Sequence, residues 1–160
     1  MPIVTQASKS RQSTLALLRS LGIQHGYYNP ADWKSAGMID MLVETYTDVF
    51  NGFAKVLFMA ENEKAGGIEA LKNGLLGKFL KMVENQLETQ TTNKFIMGNQ
   101  MTIADFAMSS FLFNIMKNDH GPFSASCSAM LLEYPHIGAY SKRLESELKS
   151  HLTNRPNCPF

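Results

Sequence analysis

A bundle of packed helices is the fold that this sequence predicts, and three observations carry the prediction. Apolar residues recur at three- and four-residue spacing through two long stretches, 38–53 and 71–87, which is the period of a helix with one buried face. A third stretch, Phe106 to Met116, is apolar on nearly every face, so it belongs at the centre with the other helices around it. Just before it, Gly98-Asn-Gln-Met-Thr-Ile-Ala-Asp-Phe106 holds a full set of signals for starting a helix. Thr102 is the N-cap, and Asp105, three residues on, reaches back to the Thr102 N–H while facing the positive end of the helix dipole. Met101 and Phe106 flank the cap as a hydrophobic staple. A cap of this kind contributes about 0.5–2 kcal/mol.

In chain order, Met1-Pro-Ile-Val-Thr5 is short and extended in character, and a helical run follows from Thr14 through Leu21, with Gly22 and Gly26 as stop signals. Pro30-Ala-Asp32 opens the first long helix, which the pattern carries to about Glu61 before Lys64-Ala-Gly-Gly67 interrupts it. The second long helix, from Leu71 to Leu87, packs antiparallel to the first. A loop over Thr91-Thr-Asn-Lys94 leads to the central helix, and Asn118-Asp-His-Gly-Pro122 ends it. A short helix from Ser124 to Leu132 and another from Pro135 to about His151 complete the set, with Pro135 suited to a first helical position.

Composition sets the outer limits. At 160 residues, 44% apolar and 18% charged, the chain is long enough for one core and lacks the signature of disorder. A formal charge of +1 argues against nucleic acid or an anionic membrane as the main partner. With neither a signal-peptide pattern nor an apolar run of about 18 residues, the expectation is an intracellular, cytoplasmic protein without a transmembrane segment. Cys127 and Cys158 lack metal-ligand spacing, and His25, His120, His136 and His151 are scattered, so no metal site is expected. No nucleophile, base and acid fall into a catalytic pattern, and no catalytic residue is assigned.

The box Gly98-x-x-x-Thr102-x-Ala-Asp105, preceded by Phe95-Ile-Met and followed by an apolar helix, resembles the central helix of the all-α half of the glutathione S-transferases. Other stretches resemble that family in the same order. Met1-Pro-Ile-Val is similar to the strand at its cis-proline, Leu15-Ala-Leu-Leu-Arg19-Ser-Leu21-Gly22 to its third helix, and Gly26-Tyr-Tyr-Asn-Pro30 to the linker between its halves. Ile39-Asp40-Met-Leu-Val-Glu44-Thr-Tyr-Thr-Asp48 resembles its first long helix. Tyr134-Pro-His-Ile and Arg155-Pro-Asn-Cys-Pro-Phe160 resemble its last helix and tail, the ending being most like the sigma-type classes.

The resemblance implies a mostly α, C-terminal-type bundle over 30–160, with 1–29 as a vestigial strand-helix remnant of a thioredoxin-like domain plus linker. It implies a partial glutathione site in which a Gln-Ser pair at the start of the third helix holds the γ-glutamyl carboxylate. Here Gln12-Ser13 is the literal pair, whereas ungapped counting places Ser13 and Thr14 there, with Thr14 as a helix cap. Asp48 resembles the acid that reaches across a dimer to the γ-glutamyl amine. The family's thiol-activating Tyr, Ser or Cys lies in a segment that has no counterpart here. Tyr27 and Tyr28, in the linker, read as packing residues. The expectation is a glutathione S-transferase-like protein without independent catalysis and without a cofactor, glutathione being a possible ligand. The alternative is a non-catalytic subunit of a larger assembly. A second polypeptide, in a homodimer or larger assembly, is expected to cover residues 1–22, where Ile3, Val4, Leu15, Leu17, Leu18 and Leu21 need burial.

Overall fold

A computed structural model describes residues 13–90 and 92–156. The strand expected at Met1 to Thr5, Gln12, and Cys158 in the tail lie outside them. Among the described residues no strand forms. Eight helices follow one another: α1 (Thr14–His25), α2 (Trp33–Leu57), α3 (Glu61–Leu71), α4 (Gly77–Thr89), α5 (Ile103–Ser110), α6 (Ser124–Ser128), α7 (Pro135–Glu147) and α8 (Lys149–Asn154). A wide π-helical turn, Lys72–Leu76, joins α3 to α4, and a second, Phe111–Met116, extends α5.

The start signals act as read. Asp32 caps α2 by accepting the Ser35 N–H at 3.3 Å, and Pro135 stands in the first turn of α7. The stop signals act differently. Gly22 lies inside α1, and the helix ends at Gly26 in the left-handed conformation. A Cβ at Gly22 would fall 2.5 Å from the Ile103 side chain and 2.9 Å from Tyr28 Cβ, so the glycine is needed for the close approach of α1 to α5. The expected interruption over 64–67 is also displaced. The chain breaks at Phe58–Ala60, and α3 runs through both glycines because Gly67 presses against Met59, where a Cβ would meet Sδ at 2.7 Å. The sharper departure is at Gly74, with φ −106° and ψ −114°. This kink leaves Leu75 partly exposed while Leu76, Phe79, Leu80, Val83 and Leu87 are buried.

The extended α5 is the centre. Ala104, Phe111, Leu112 and Met116 are fully buried, and Phe111 stacks edge-on with Phe79 of α4 (5.5 Å) and Tyr46 of α2 (6.1 Å). The capping box closes between Thr102 and Asp105, whose carboxylate accepts the Thr102 N–H at 2.8 Å and its hydroxyl at 3.0 Å. Asp105 does more than cap. Fully buried, it also accepts the Ile96 N–H at 3.0 Å and the Tyr140 hydroxyl at 2.6 Å, so it ties the loop before α5 and the α7 helix to one point. A second buried acid, Glu84 of α4, accepts the backbone N–H groups of His136 and Ile137 at 2.9 Å each and contacts His136 Nδ1 at 2.8 Å. It serves as a cap for α7 supplied by another helix.

Two predictions follow from these acids. Asp105→Ala orphans four donors, one of them a buried phenol, so its cost should exceed that of an ordinary cap and reach about 3 kcal/mol or more; Tyr140→Phe, which leaves three donors in place, should cost only about 1–2 kcal/mol. Urea melts of the two variants give the ratio, and equal costs would show that the carboxylate acts through the Tyr140 bond alone. Burial raises the Glu84 pKa, but the two backbone donors and His136 outweigh it and hold the group below its ordinary value. Its contribution is therefore present above the ordinary carboxylate value and lost as pH falls through the lower folded value. Glu84→Gln should cost about 1–3 kcal/mol at pH 7, and the gap from the parent protein should narrow below about pH 4.

Candidate functional site

The residues expected to hold glutathione lie on two helices. Ser13 occupies the cap position of α1 and Thr14 its first helical position, a correction to Thr14 as the cap. The Ser13 side chain makes no cap hydrogen bond, and both residues are exposed, so the first amides of α1 have no side-chain acceptor among the described residues. Asp48 is exposed on α2. It lines an open depression with Asn51, Lys55, Phe58 and Leu75, to which neither Ser13 nor Thr14 contributes. Within this chain the two halves of the expected site are thus separate.

What fixes α1 is an ion-pair cluster. Arg19 donates from Nε to Asp40 Oδ1 and from an Nη to Glu44 Oε1, both at 2.9 Å, and the Tyr28 hydroxyl donates to Asp40 Oδ2 at 2.8 Å. Asp40 and Glu44, one turn apart, are consumed by this joint, and Asp48, the next residue of the same stripe, is not. Tyr27 donates no side-chain bond to the cluster; its ring meets Phe106 edge-on at 4.9 Å, and its carbonyl accepts the Ile103 N–H at 3.1 Å. Tyr27 thus packs as its place in the linker suggested, whereas Tyr28 also joins the polar cluster through its hydroxyl.

A second feature was missed in the sequence. Phe106, Ser109, Ser110, Phe113 and Asn114 share one face of α5 and its extension, at spacings of three and four residues. With Leu148, His151, Leu152 and Arg155 they line a groove of about 460 Å³ between that helix and α8. The available signal was the polar set Ser109, Ser110 and Asn114, which interrupts a helix otherwise read as apolar all round. Tyr46 and Ser110 hydroxyls pair at 3.1 Å, Asn114 donates to Ser110 at 3.2 Å, and Asn114 Oδ1 accepts from Arg155 at 2.7 Å.

No described residues group as a metal site, and no described helix is long and apolar enough to cross a membrane. Cys127 is buried, and burial pushes its thiol up to about 11, partly opposed by Lys72. The thiolate form is thereby disfavoured.

The family model for the C-terminal domain of glutathione S-transferases matches residues 47–155. The chain belongs to this family. Glutathione S-transferase A of Cavia porcellus is 23% identical over 157 residues, which is 98% of this chain and 64% of that protein. The class-mu 28 kDa isozyme of Schistosoma mansoni is 24% identical over 150 residues, covering 92% of this chain and 67% of its own length. The chain thus spans about two thirds of these relatives. The solved structure of prostaglandin synthase D of Nilaparvata lugens superposes with a TM-score of 0.73 at 19% identity, covering 94% of this chain and 71% of that one. The glutathione S-transferase Blo t 8 superposes at 0.69 and 16% identity over 93% of this chain and 70% of that one. Both share the fold, so the mostly α bundle of glutathione S-transferase C-terminal type is as the sequence predicted.

The Arg19 cluster yields a prediction of its own. Asp40→Asn removes one ion pair and weakens the Tyr28 bond in a partly exposed site, a change of about 1 kcal/mol or less. Amide exchange should quicken over 14–25 and stay unchanged over 103–116. Equal acceleration in both would mean that α1 is held by its apolar contacts and opens only with the core.

Proposed function

We propose that the chain is a glutathione S-transferase-type protein that contributes a partial glutathione site and the helical half of the fold, and that residues 13–156 do not themselves activate the glutathione thiol. In this reading residues 1–29 are the end of a thioredoxin-like domain docked on 30–160. The start of α1, with Ser13, Thr14 and the preceding Gln12, holds the γ-glutamyl carboxylate, while Asp48 pairs with the amine of a glutathione bound to a neighbouring copy.

The supporting observation is chemical. Lowering a thiol pKa needs a donor or positive group free to face the sulfur. The Tyr28, Tyr46, Tyr134 and Tyr140 hydroxyls are all held more basic than an ordinary phenol, first by burial, and Tyr28 and Tyr140 additionally by Asp40 and Asp105. Tyr28, Tyr46 and Tyr140 already have oxygen partners. A second observation favours a covering polypeptide. Leu15 and Leu18 pack against the core, but Leu17, Leu21 and Ile23 of α1 remain 42%, 41% and 52% exposed.

Calorimetry with glutathione, beside a conjugation assay with 1-chloro-2,4-dinitrobenzene, tests the reading. The expected result is weak binding that falls several-fold in Ser13→Ala/Thr14→Val and in Asp48→Asn, with conjugation at the rate of buffer. Turnover well above the blank would overturn it. Light scattering at micromolar concentration should give a mass above 17.9 kDa, and a monomer with α1 amides protected would remove the covering partner.

A further inference from the structure

The α3 helix stays helical only through what packs against it. None of its residues is buried. Its ion pairs, Lys64 with Glu61 and Lys72 with Glu69, run along the helix and its π-helical extension and tie it to no other element. At 11 residues, with Gly66 and Gly67 among them, it is too short and too poor in helix formers to stand alone in water. Packing must supply what propensity does not.

That packing comes from α2 and the turn that follows it, and a glycine admits each contact. A Cβ at Gly52 of α2 would fall 2.7 Å from Leu71 Cδ1 at the end of α3, and a Cβ at Gly67 of α3 would fall 2.7 Å from Met59 Sδ and 3.2 Å from Val56 Cγ2. Leu71 and Ile68 are partly buried against the core. Met59 is placed differently: it lies in the turn between α2 and α3 and is 39% exposed, so the thioether seated on Gly67 belongs to a side chain that solvent reaches. Met41, at 41%, is the other exposed methionine among the described residues, whereas Met108, Met116 and Met130 are buried.

We propose that Met59 is an oxidation site, and that conversion of its thioether to the sulfoxide releases α3 from α2. A sulfur lone pair attacks one oxygen of hydrogen peroxide, the S–O bond forms as the O–O bond breaks, and the other oxygen leaves as water once the proton has moved to it. Sulfur is oxidised and the peroxide is reduced by the same electron pair. The product is polar, and the groups against the sulfur, the Val56 side chain and the bare Cα of Gly67, donate no hydrogen bond to its new oxygen. The contact that lets the helix run through two glycines is thereby lost, and α3 opens because it has no buried residue to hold it. The proposal goes beyond the glutathione reading: Ser13, Thr14 and Asp48 take no part in it, and it needs neither a ligand nor a second copy.

The test is titration of the full chain with hydrogen peroxide, read by peptide mass mapping and amide exchange. Met41 and Met59 should each gain an oxygen before Met108, Met116 and Met130 do. Exchange over 61–71 should then quicken by about tenfold or more, while 103–116 stays protected. Met59→Leu keeps an apolar contact of similar volume and cannot be oxidised there, so in that variant peroxide should leave exchange over 61–71 unchanged. Met41→Leu should respond as the parent chain does. Reduction by thiol-dependent methionine sulfoxide reductases acting on both sulfoxide epimers should restore the slow exchange. Three results would overturn the proposal: Met59 oxidising no faster than the buried methionines, Met59 sulfoxide forming with exchange over 61–71 unchanged, or the same acceleration in Met59→Leu.

Discussion

A fully buried carboxylate is costly unless every lone pair finds a donor, and Asp105 meets that condition with donors from three parts of the chain. The consequence is geometric. The four donors cannot be satisfied unless the 95–102 loop, the start of α5 and the middle of α7 are placed together, so the charge converts three independent elements into one arrangement. Its effect on Tyr140 shows the same coupling from the other side, since burial and the facing carboxylate together push the phenol well above its ordinary pKa and keep it a donor. Glu84 repeats the device at the N-terminus of α7, where two backbone amides and His136 meet it. The α7 helix is thus held at its first turn by α4 and near its middle by α5, and the apolar surfaces of Ile137, Tyr140 and Leu144 are brought to the core by polar contacts of fixed direction.

How much of this was legible in the sequence depends on the distance between interacting residues. The box at Thr102 and Asp105, the opening of α2 near Asp32 and Pro135 in the first turn of α7 are local features, and residue type and spacing were enough to read them. Tyr140 lies 35 residues from Asp105, and no local pattern marks it as a donor. The glycines were misread for a related reason. Treated as local stop signals, Gly22 and Gly67 suggested helix ends, but their role is to admit the Ile103 side chain and the Met59 sulfur, which are distant or on the far side of a turn. The actual kink at Gly74 sits in the π-helical turn that reorients α4 relative to α3, a placement set by packing.

The candidate site divided in the same way. Ser13, Thr14 and Asp48 were found by likeness to a family, and the structure gives their positions without joining them in this chain. The groove on α5 was overlooked because a helix rich in Phe, Leu and Met was taken as buried on all sides. Three polar residues, the adjacent Ser109 and Ser110 and then Asn114 one turn on, make one face of it compatible with water, and α8 returns over that face only after about 32 intervening residues.

Arg19 and Arg155 fasten helices through partners of different charge. Each guanidinium is partly exposed, and each links helices that are distant in sequence. Arg19 faces two carboxylates, which raise its pKa and cancel its charge, so nothing remains for a further anion and its role is to fasten α1 to α2. Arg155 fastens α8 to the extension of α5 through a side-chain amide and a carbonyl, partners that fix its direction without neutralising it.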